Sequence, residues 1–251
     1  AASWELISED LTKGEHESGT RRYGTITTIN VSPADSDIIY VGTDDGNVQV
    51  TRDGGITWRL ASTNLPNRYV TSVVCDFDDP LKAYVTFSGY RKNDYLAHVF
   101  VTTNGGMTWV DISGNLPEVP VNDLIIDDQY AGVLYVATDL GVWRRNGQNE
   151  EWKQLGENIP NTVVTDLVIH KMTRTLVAAT FGRSLYKYKL NFSPPDSPEV
   201  DTIVTPFRVY TNPIRDVATV QIEASKRQKV RISIRNLRGG IVWQRTNVWL
   251  E

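Results

Sequence analysis

Apolar residues in this chain come in short β-branched runs separated by turn residues, and the runs recur in a fixed order. A first run falls at 26–31, 70–75, 121–126 and 163–169, and a second at 38–42, 83–87, 133–137 and 175–179. A third follows at 48–51, 99–102, 142–144 and 185–189. Runs of this length, bounded by Gly, Asp, Asn and Pro, predict strands, and no stretch sustains the apolar period of a helix. Tight turns are expected between the second and third runs, at Thr43-Asp44-Asp45-Gly46, Thr138-Asp139-Leu140-Gly141 and Thr180-Phe181-Gly182, where glycine supplies the positive φ a hairpin needs.

The order of runs is a repeat. Val50-Thr-Arg-Asp-Gly-Gly-Ile-Thr-Trp58 and Val101-Thr-Thr-Asn-Gly-Gly-Met-Thr-Trp109 are near copies, leading to Asn64-Leu65-Pro66 and Asn115-Leu116-Pro117. A worn third copy runs from Trp143 to Gly147, then Trp152 and Asn158-Ile159-Pro160. With Trp4, the repeat tryptophans are spaced by 54, 51 and 43 residues, the length of a four-stranded propeller blade with variable loops. The fourth strand is expected to contain the tryptophan. Trp4–Ile7 then reads as a lone fourth strand, followed by three complete blades and a last blade with three strands. Either further blades of a larger propeller, on the same protein or another chain, supply the missing strand, or Trp4–Ile7 closes a four-bladed ring. The first reading is preferred.

The pattern at Thr51, Asp53, Gly55, Thr57 and Trp58 resembles the Asp-box, or BNR repeat, of sialidases, sortilin-type propellers, xyloglucan-cleaving glycosidases and photosystem II assembly propellers. The resemblance implies structural roles for Asp53, Gly55 and Trp58, and for Asn104, Gly106 and Trp109 in the second copy, where Asn104 departs from the pattern but caps the same turn. The strings Ile7 to Thr12, Tyr23 to Ile26 and Tyr40 to Gly46 are similar to the last blades of bacterial sortilin-like, glycosyl-hydrolase-like proteins. Those proteins usually contain more blades than this chain holds.

Beyond about residue 190 the composition changes. Ser193-Pro-Pro-Asp-Ser-Pro198 marks a linker over 191–205, and alternating strands follow in 206–251. Tyr210-Thr-Asn-Pro213, Asp216 and the Asn236-Leu-Arg-Gly239 turn resemble the Ig-like C-terminal sorting domain of type IX secretion substrates, with Thr211 a mild departure from its usual motif. About three strands are expected, fewer than a complete sorting domain has. The resemblance implies export by a Bacteroidetes-type bacterium, contact with its secretion machinery, and a secreted or cell-surface location. The expected fold is all-β: a partial propeller of about four blades over 1–190, followed by an incomplete Ig-like β-sandwich.

Charge narrows the partners. Residues 1–199 carry a net charge of −9 and residues 200–251 one of +5. An acidic main part argues against nucleic acid. No apolar run reaches the ~18 residues of a spanning helix. Ala1 to Trp4 carries no signal-peptide pattern, so the expectation is a processed chain or a fragment. Cys75, the single cysteine, reads as a small buried apolar thiol.

Motifs for nucleophilic catalysis, phosphate cradling or metal ligation are lacking, so neither cofactor nor metal is expected. His16, His98 and His170 fall in different repeats and read as packing residues. Glycoside hydrolysis needs two facing carboxylates, and Asp123 and Asp166 occupy equivalent places near the starts of two first strands. They are the catalytic candidates. The Arg-Ile-Pro signature of sialidases is absent, which disfavours that activity. In the second repeat a longer insertion, Ser88 to Ala97, replaces the tight turn. Its Tyr90, Arg91, Lys92 and Tyr95, with Arg183 from the last turn, are the candidate contacts for a protein or glycan ligand. A binding propeller is the preferred function, an extracellular glycosidase sharing its site with other blades the alternative. An assembly factor like the photosystem propellers is a third reading, against which the secretion-type tail argues.

Overall fold

A computed structural model describes residues 3–14, 24–147, 151–156 and 158–190, and the backbone of strands within 207–250. The chain divides into two compact units, Ala1–Phe192 and Ser193–Glu251.

The first unit is a row of antiparallel sheets, each a simple meander. Sheet one comprises β1 (Ile26–Val31), β2 (Ile39–Thr43), β3 (Val48–Thr51) and β4 (Arg59–Leu60). Sheet two comprises β5 (Tyr69–Cys75), β6 (Ala83–Ser88), β7 (His98–Thr102) and β8 (Val110–Asp111), with a short 3-10 turn at Tyr90–Lys92. Sheet three comprises β9 (Val121–Ile126), β10 (Val133–Thr138), β11 (Gly141–Asn146) and β12 (Lys153–Gln154). Sheet four has three strands, β13 (Val164–His170), β14 (Thr175–Thr180) and β15 (Leu185–Lys189). This is the blade arrangement of a β-propeller. Among the described residues there is no α-helix, and no helix long and apolar enough to cross a membrane.

Burial explains the sequence pattern. The second strands β2, β6 and β10 are flanked on both sides and buried throughout their apolar runs, whereas the two-residue fourth strands are exposed. The cores lie between successive sheets. Tyr40, Val50, Val70 and Phe87 fill the first gap, Tyr84, Leu124 and Val136 the second, and Tyr135, Leu167 and Leu176 the third. A polar ladder joins the first strands: the Thr27 hydroxyl donates to the Val70 carbonyl (2.6 Å), Thr71 to Val121 (2.8 Å), and the Asn122 amide to Val164 (2.9 Å).

Two expectations are corrected. Trp4–Ile7 forms no strand, and Trp4 is fully exposed at 104%, so it does not complete sheet four or close a ring. The fourth strands do not contain the tryptophan but begin one residue after it, because the indole leaves the sheet to pack against the preceding one. Trp109 Nε1 donates to the Ala61 carbonyl (2.7 Å) and Trp152 Nε1 to that of Ile112 (2.8 Å). Trp58 does the same to Ile7 (2.8 Å). Each acceptor lies three residues after the tryptophan of the repeat before.

The turns between third and fourth strands of sheets one and two share one hydrogen-bonding scheme. Thr57 donates its backbone N–H to Asp53 Oδ1 (2.8 Å) and its hydroxyl to Oδ2 (2.6 Å). Thr108 N–H donates to Asn104 Oδ1 (3.0 Å), and here the Asn104 amide donates to the Thr108 hydroxyl (2.7 Å), so Asn replaces Asp by reversing one bond. Gly55 and Gly106, at φ of 99° and 76°, bring their N–H groups onto the Thr51 and Thr102 hydroxyls.

In the second unit, β16 (Phe207–Tyr210) pairs antiparallel with β17 (Thr219–Ile222), and β18 (Gln228–Arg235) with β19 (Ile241–Leu250). Four strands are described where about three were expected. Of the tail's quoted motifs, residues 193–198 and most of those at its two turns lie outside the described residues.

Candidate functional site

Strand register places the candidate residues on one edge of the sheets. Tyr69, at the start of β5, pairs with Ser88, where the long insertion leaves β6. Asp123 pairs with Ala137 beside the β10–β11 turn, and Asp166 with Ala179 beside the β14–β15 turn that carries Arg183. The insertion, both carboxylates and Arg183 therefore all belong to the same loop edge of the row. A hydrogen bond from Leu167 brings Asp123 toward sheet four, whereas among the described residues none joins Arg183 to the insertion.

The insertion is held firmly. Asp94 anchors it, accepting from Arg68 Nε (2.8 Å), the Leu96 N–H (3.1 Å) and His98 Nε2 (3.0 Å), and these partners hold its carboxyl below the usual range although its burial opposes this. Lys92 Nζ donates to the Asn67 carbonyl (2.8 Å), and the Arg91 guanidinium lies 5.2 Å from the Tyr69 ring centre. Tyr90 and Tyr95 meet edge to face at 6.1 Å and remain 63% and 50% exposed. Two tyrosines braced against each other on a pinned loop make an aromatic platform with little entropy left to lose on binding. Sequence reading missed the bracing residues Arg68, Asp94 and His98, whose only local signal was the i, i+4 spacing of Asp94 and His98.

Asp123 sits differently from Asp166. Its carboxylate accepts the N–H of Leu124 (2.8 Å) and, across the sheet boundary, that of Leu167 (3.0 Å), and it is hydrogen-bonded by Ser72. Asp123 thus bonds groups from sheets two, three and four. Burial nevertheless pushes its carboxyl up to about 6, the nearby Asp166 adding to the rise. Asp166 is exposed on the neighbouring strand.

This gives a pH prediction. The folded chain holds the Asp123 proton more tightly than the unfolded chain, whose value is 3.8. Its contribution to stability is therefore full below the unfolded value and lost as pH rises through about 6. Urea unfolding of Asp123→Asn should lack that decline, so the variant gains relative to the parent between pH ~4 and ~7.

No group of three or more metal-ligating side chains exists among the described residues. Cys75 is buried, as expected, with its thiol pushed up to about 12 by burial and the adjacent Asp76.

No protein-family model matches this sequence, and no curated protein does. Solved structures do match. An ancestral GH74 enzyme aligns over 96% of this chain and 34% of its own length, with a TM-score of 0.53 at 13% identity. YCF48 bound to D1 peptide aligns over 68% of this chain and 54% of its own, with a TM-score of 0.51 at 18% identity. The GH74 xyloglucanase from Xanthomonas campestris aligns over 64% and 28%, with a TM-score of 0.51 at 16% identity. This chain spans between about a quarter and just over half of the length of these proteins. At such identities the likeness establishes the fold, and the fold is a β-propeller.

Proposed function

We propose that this chain is part of a propeller that binds a protein or glycan ligand through its loop edge, with Tyr90 and Tyr95 as the principal contact surface and Arg91, Lys92 and Arg183 as polar contacts. The observation that carries this reading is the braced, exposed tyrosine pair, held at 6.1 Å on a loop anchored by Asp94. Exposed aromatic faces flanked by cations suit sugar rings and peptide side chains alike. That one structural neighbour carries a bound peptide and others are GH74 enzymes is consistent with ligands of either class. The resemblance of the tail to a sorting domain supports an extracellular setting for that ligand.

The second reading is a glycosidase whose site is shared with other blades. It is favoured by the raised carboxyl of Asp123 beside Asp166, a pairing suited to an acid and its partner. Against it, Asp123 is engaged by Ser72, Leu124 and Leu167, which leaves its carboxylate little freedom to serve a substrate.

Screening the chain on panels of immobilised glycans and extended peptides tests the proposal. Binding to at least one class is expected, with the double variant Tyr90→Ala/Tyr95→Ala weakened at least about tenfold, the scale of two lost aromatic contacts. Unchanged binding by the double variant would remove the platform from the account.

A further inference from the structure

The repeat predicts what should cover the exposed edge of sheet four. In sheets one and two the same four positions surround an incoming indole. Tyr40, Val48, Ala61 and Leu65 share a core with Trp109, and Tyr84, Val99, Ile112 and Leu116 share one with Trp152. In sheet three the matching residues are Tyr135, Val142, Leu155 and Ile159, which form the same kind of cluster without a tryptophan. Leu155 N–H donates to the Val142 carbonyl (2.8 Å) as Ala61 does to Val48 (2.7 Å) and Ile112 to Val99 (2.9 Å). Leu155 thus stands where the two indole acceptors stand, three residues after Trp152.

Beside Leu155 lies a cleft of about 190 Å³, lined on one side by Val142, Leu155 and Ile159 and on the other by Leu176, Lys187 and Tyr188. It is smaller than the ~300 Å³ at which small-molecule pockets begin, and fits a single large side chain. Lys187 and Tyr188 also hold the pairing positions of the missing strand. Tyr188 faces Leu176 as Val50 faces Tyr40 and Val101 faces Tyr84. Val50 and Val101 each pair with the residue that follows a repeat tryptophan, Arg59 and Val110. Between Trp152 and Trp243 the sequence contains no tryptophan that this sheet's own repeat could supply. Among the described residues, the N-terminal segment does not fill the cleft either: Trp4 is fully exposed, and residues 7–13 are tied to sheet one through Trp58, Asn47 and Asp45.

We propose that this cleft is a socket for a tryptophan-bearing β-strand of a further propeller segment, of the pattern Trp-x-x-apolar. The strand pairs antiparallel with β15, its first two residues after the tryptophan facing Tyr188 and Lys187. The indole enters between sheets three and four and donates its N–H to the Leu155 carbonyl. Addition of a strand to an open edge supplies the backbone bonds, and the socket reads the side chain. A further propeller segment is the source because this chain spans 34% of the ancestral GH74 enzyme and 54% of the peptide-bound YCF48 propeller.

The chain's own repeat provides the probe, a capped peptide of residues 106–112, Gly-Met-Thr-Trp-Val-Asp-Ile. Titrated into the 251-residue chain and followed by amide NMR, it should shift Lys187, Tyr188 and Leu155. The same peptide with alanine for tryptophan should bind at least about tenfold more weakly. Absence of shifts at millimolar peptide, equal binding of the alanine peptide, or shifts confined to other strands would overturn the socket. Sedimentation of the chain alone completes the test: a monomer is expected. Head-to-tail oligomers abolished by Trp4→Ala would mean that a second copy, not a further segment, is the occupant, and would overturn the proposal in that form.

Discussion

Trp152→Ala is expected to cost about 3 to 5 kcal/mol, the range for deleting a fully buried large aromatic. Trp152 is 2% exposed, and its indole fills the core between sheets two and three. Three effects coincide. The ring's apolar area is lost and a cavity remains, walled by Leu116 and by Leu124 and Val136 of the paired strands β9 and β10, which have little room to collapse. The Ile112 carbonyl loses its indole donor (2.8 Å). The stacking of Arg145 at 6.0 Å goes as well. Trp152→Phe should recover much of the packing and none of the hydrogen bond, placing it between parent and alanine variant. Trp58, whose ring is only half-buried, should cost clearly less when replaced by alanine. Urea unfolding of the three variants checks the order.

Arg174→Ala carries the second large effect, about 3 to 5 kcal/mol, because it strands a buried charge. The Asp127 side chain is 0% exposed, and Arg174 reaches it from sheet four at 2.6 Å while its other nitrogen takes Asp128 at 2.7 Å. Asp127 otherwise accepts from the Tyr135 hydroxyl and the N–H groups of Gln129 and Tyr130, which stay behind in the variant. Removing both charges should hurt less than removing one: Asp127→Asn/Arg174→Met is expected to be more stable than Arg174→Ala, and the cycle through the single variants measures the coupling. The pair joins sheet three to sheet four, so hydrogen exchange in β13 to β15 should quicken first. In sheet two the equivalent carboxylate, Asp76, is served by Lys82 within its own turn (2.8 Å). Sheet three differs in drawing its cation from across the boundary, from sheet four.

The contrast between these two residues shows what the sequence made legible. The tryptophans recur at near-blade spacing with their turns, and three apolar runs recur in fixed order between them, so the order of the first three strands and the sheet count could be read from the sequence. The fourth strands could not be read well. Each has two residues, too few for alternation, and is fixed by the tryptophan before it leaving the sheet. Trp4–Ile7 carried the repeat's signature but forms no strand, since a fourth strand exists only against a third one. The Arg174–Asp127 pair spans 47 positions and leaves no local pattern. At the candidate site, the equivalence of Asp123 and Asp166 was visible, whereas the three groups that engage Asp123 come from three sheets. The tyrosines of the insertion were legible as an interruption of the repeat. Their bracing by Arg68, Asp94 and His98 depends on how the chain returns from the loop, which composition does not encode.

Incubating the chain with whichever glycan or peptide it retains, and weighing the ligand by mass spectrometry afterwards, tests the central claim most directly. A binding propeller returns the ligand intact, with retention lost in Tyr90→Ala/Tyr95→Ala and kept in Asp166→Asn. Cleaved products that disappear in Asp166→Asn would contradict the account and place catalysis, not capture, on this edge of the propeller.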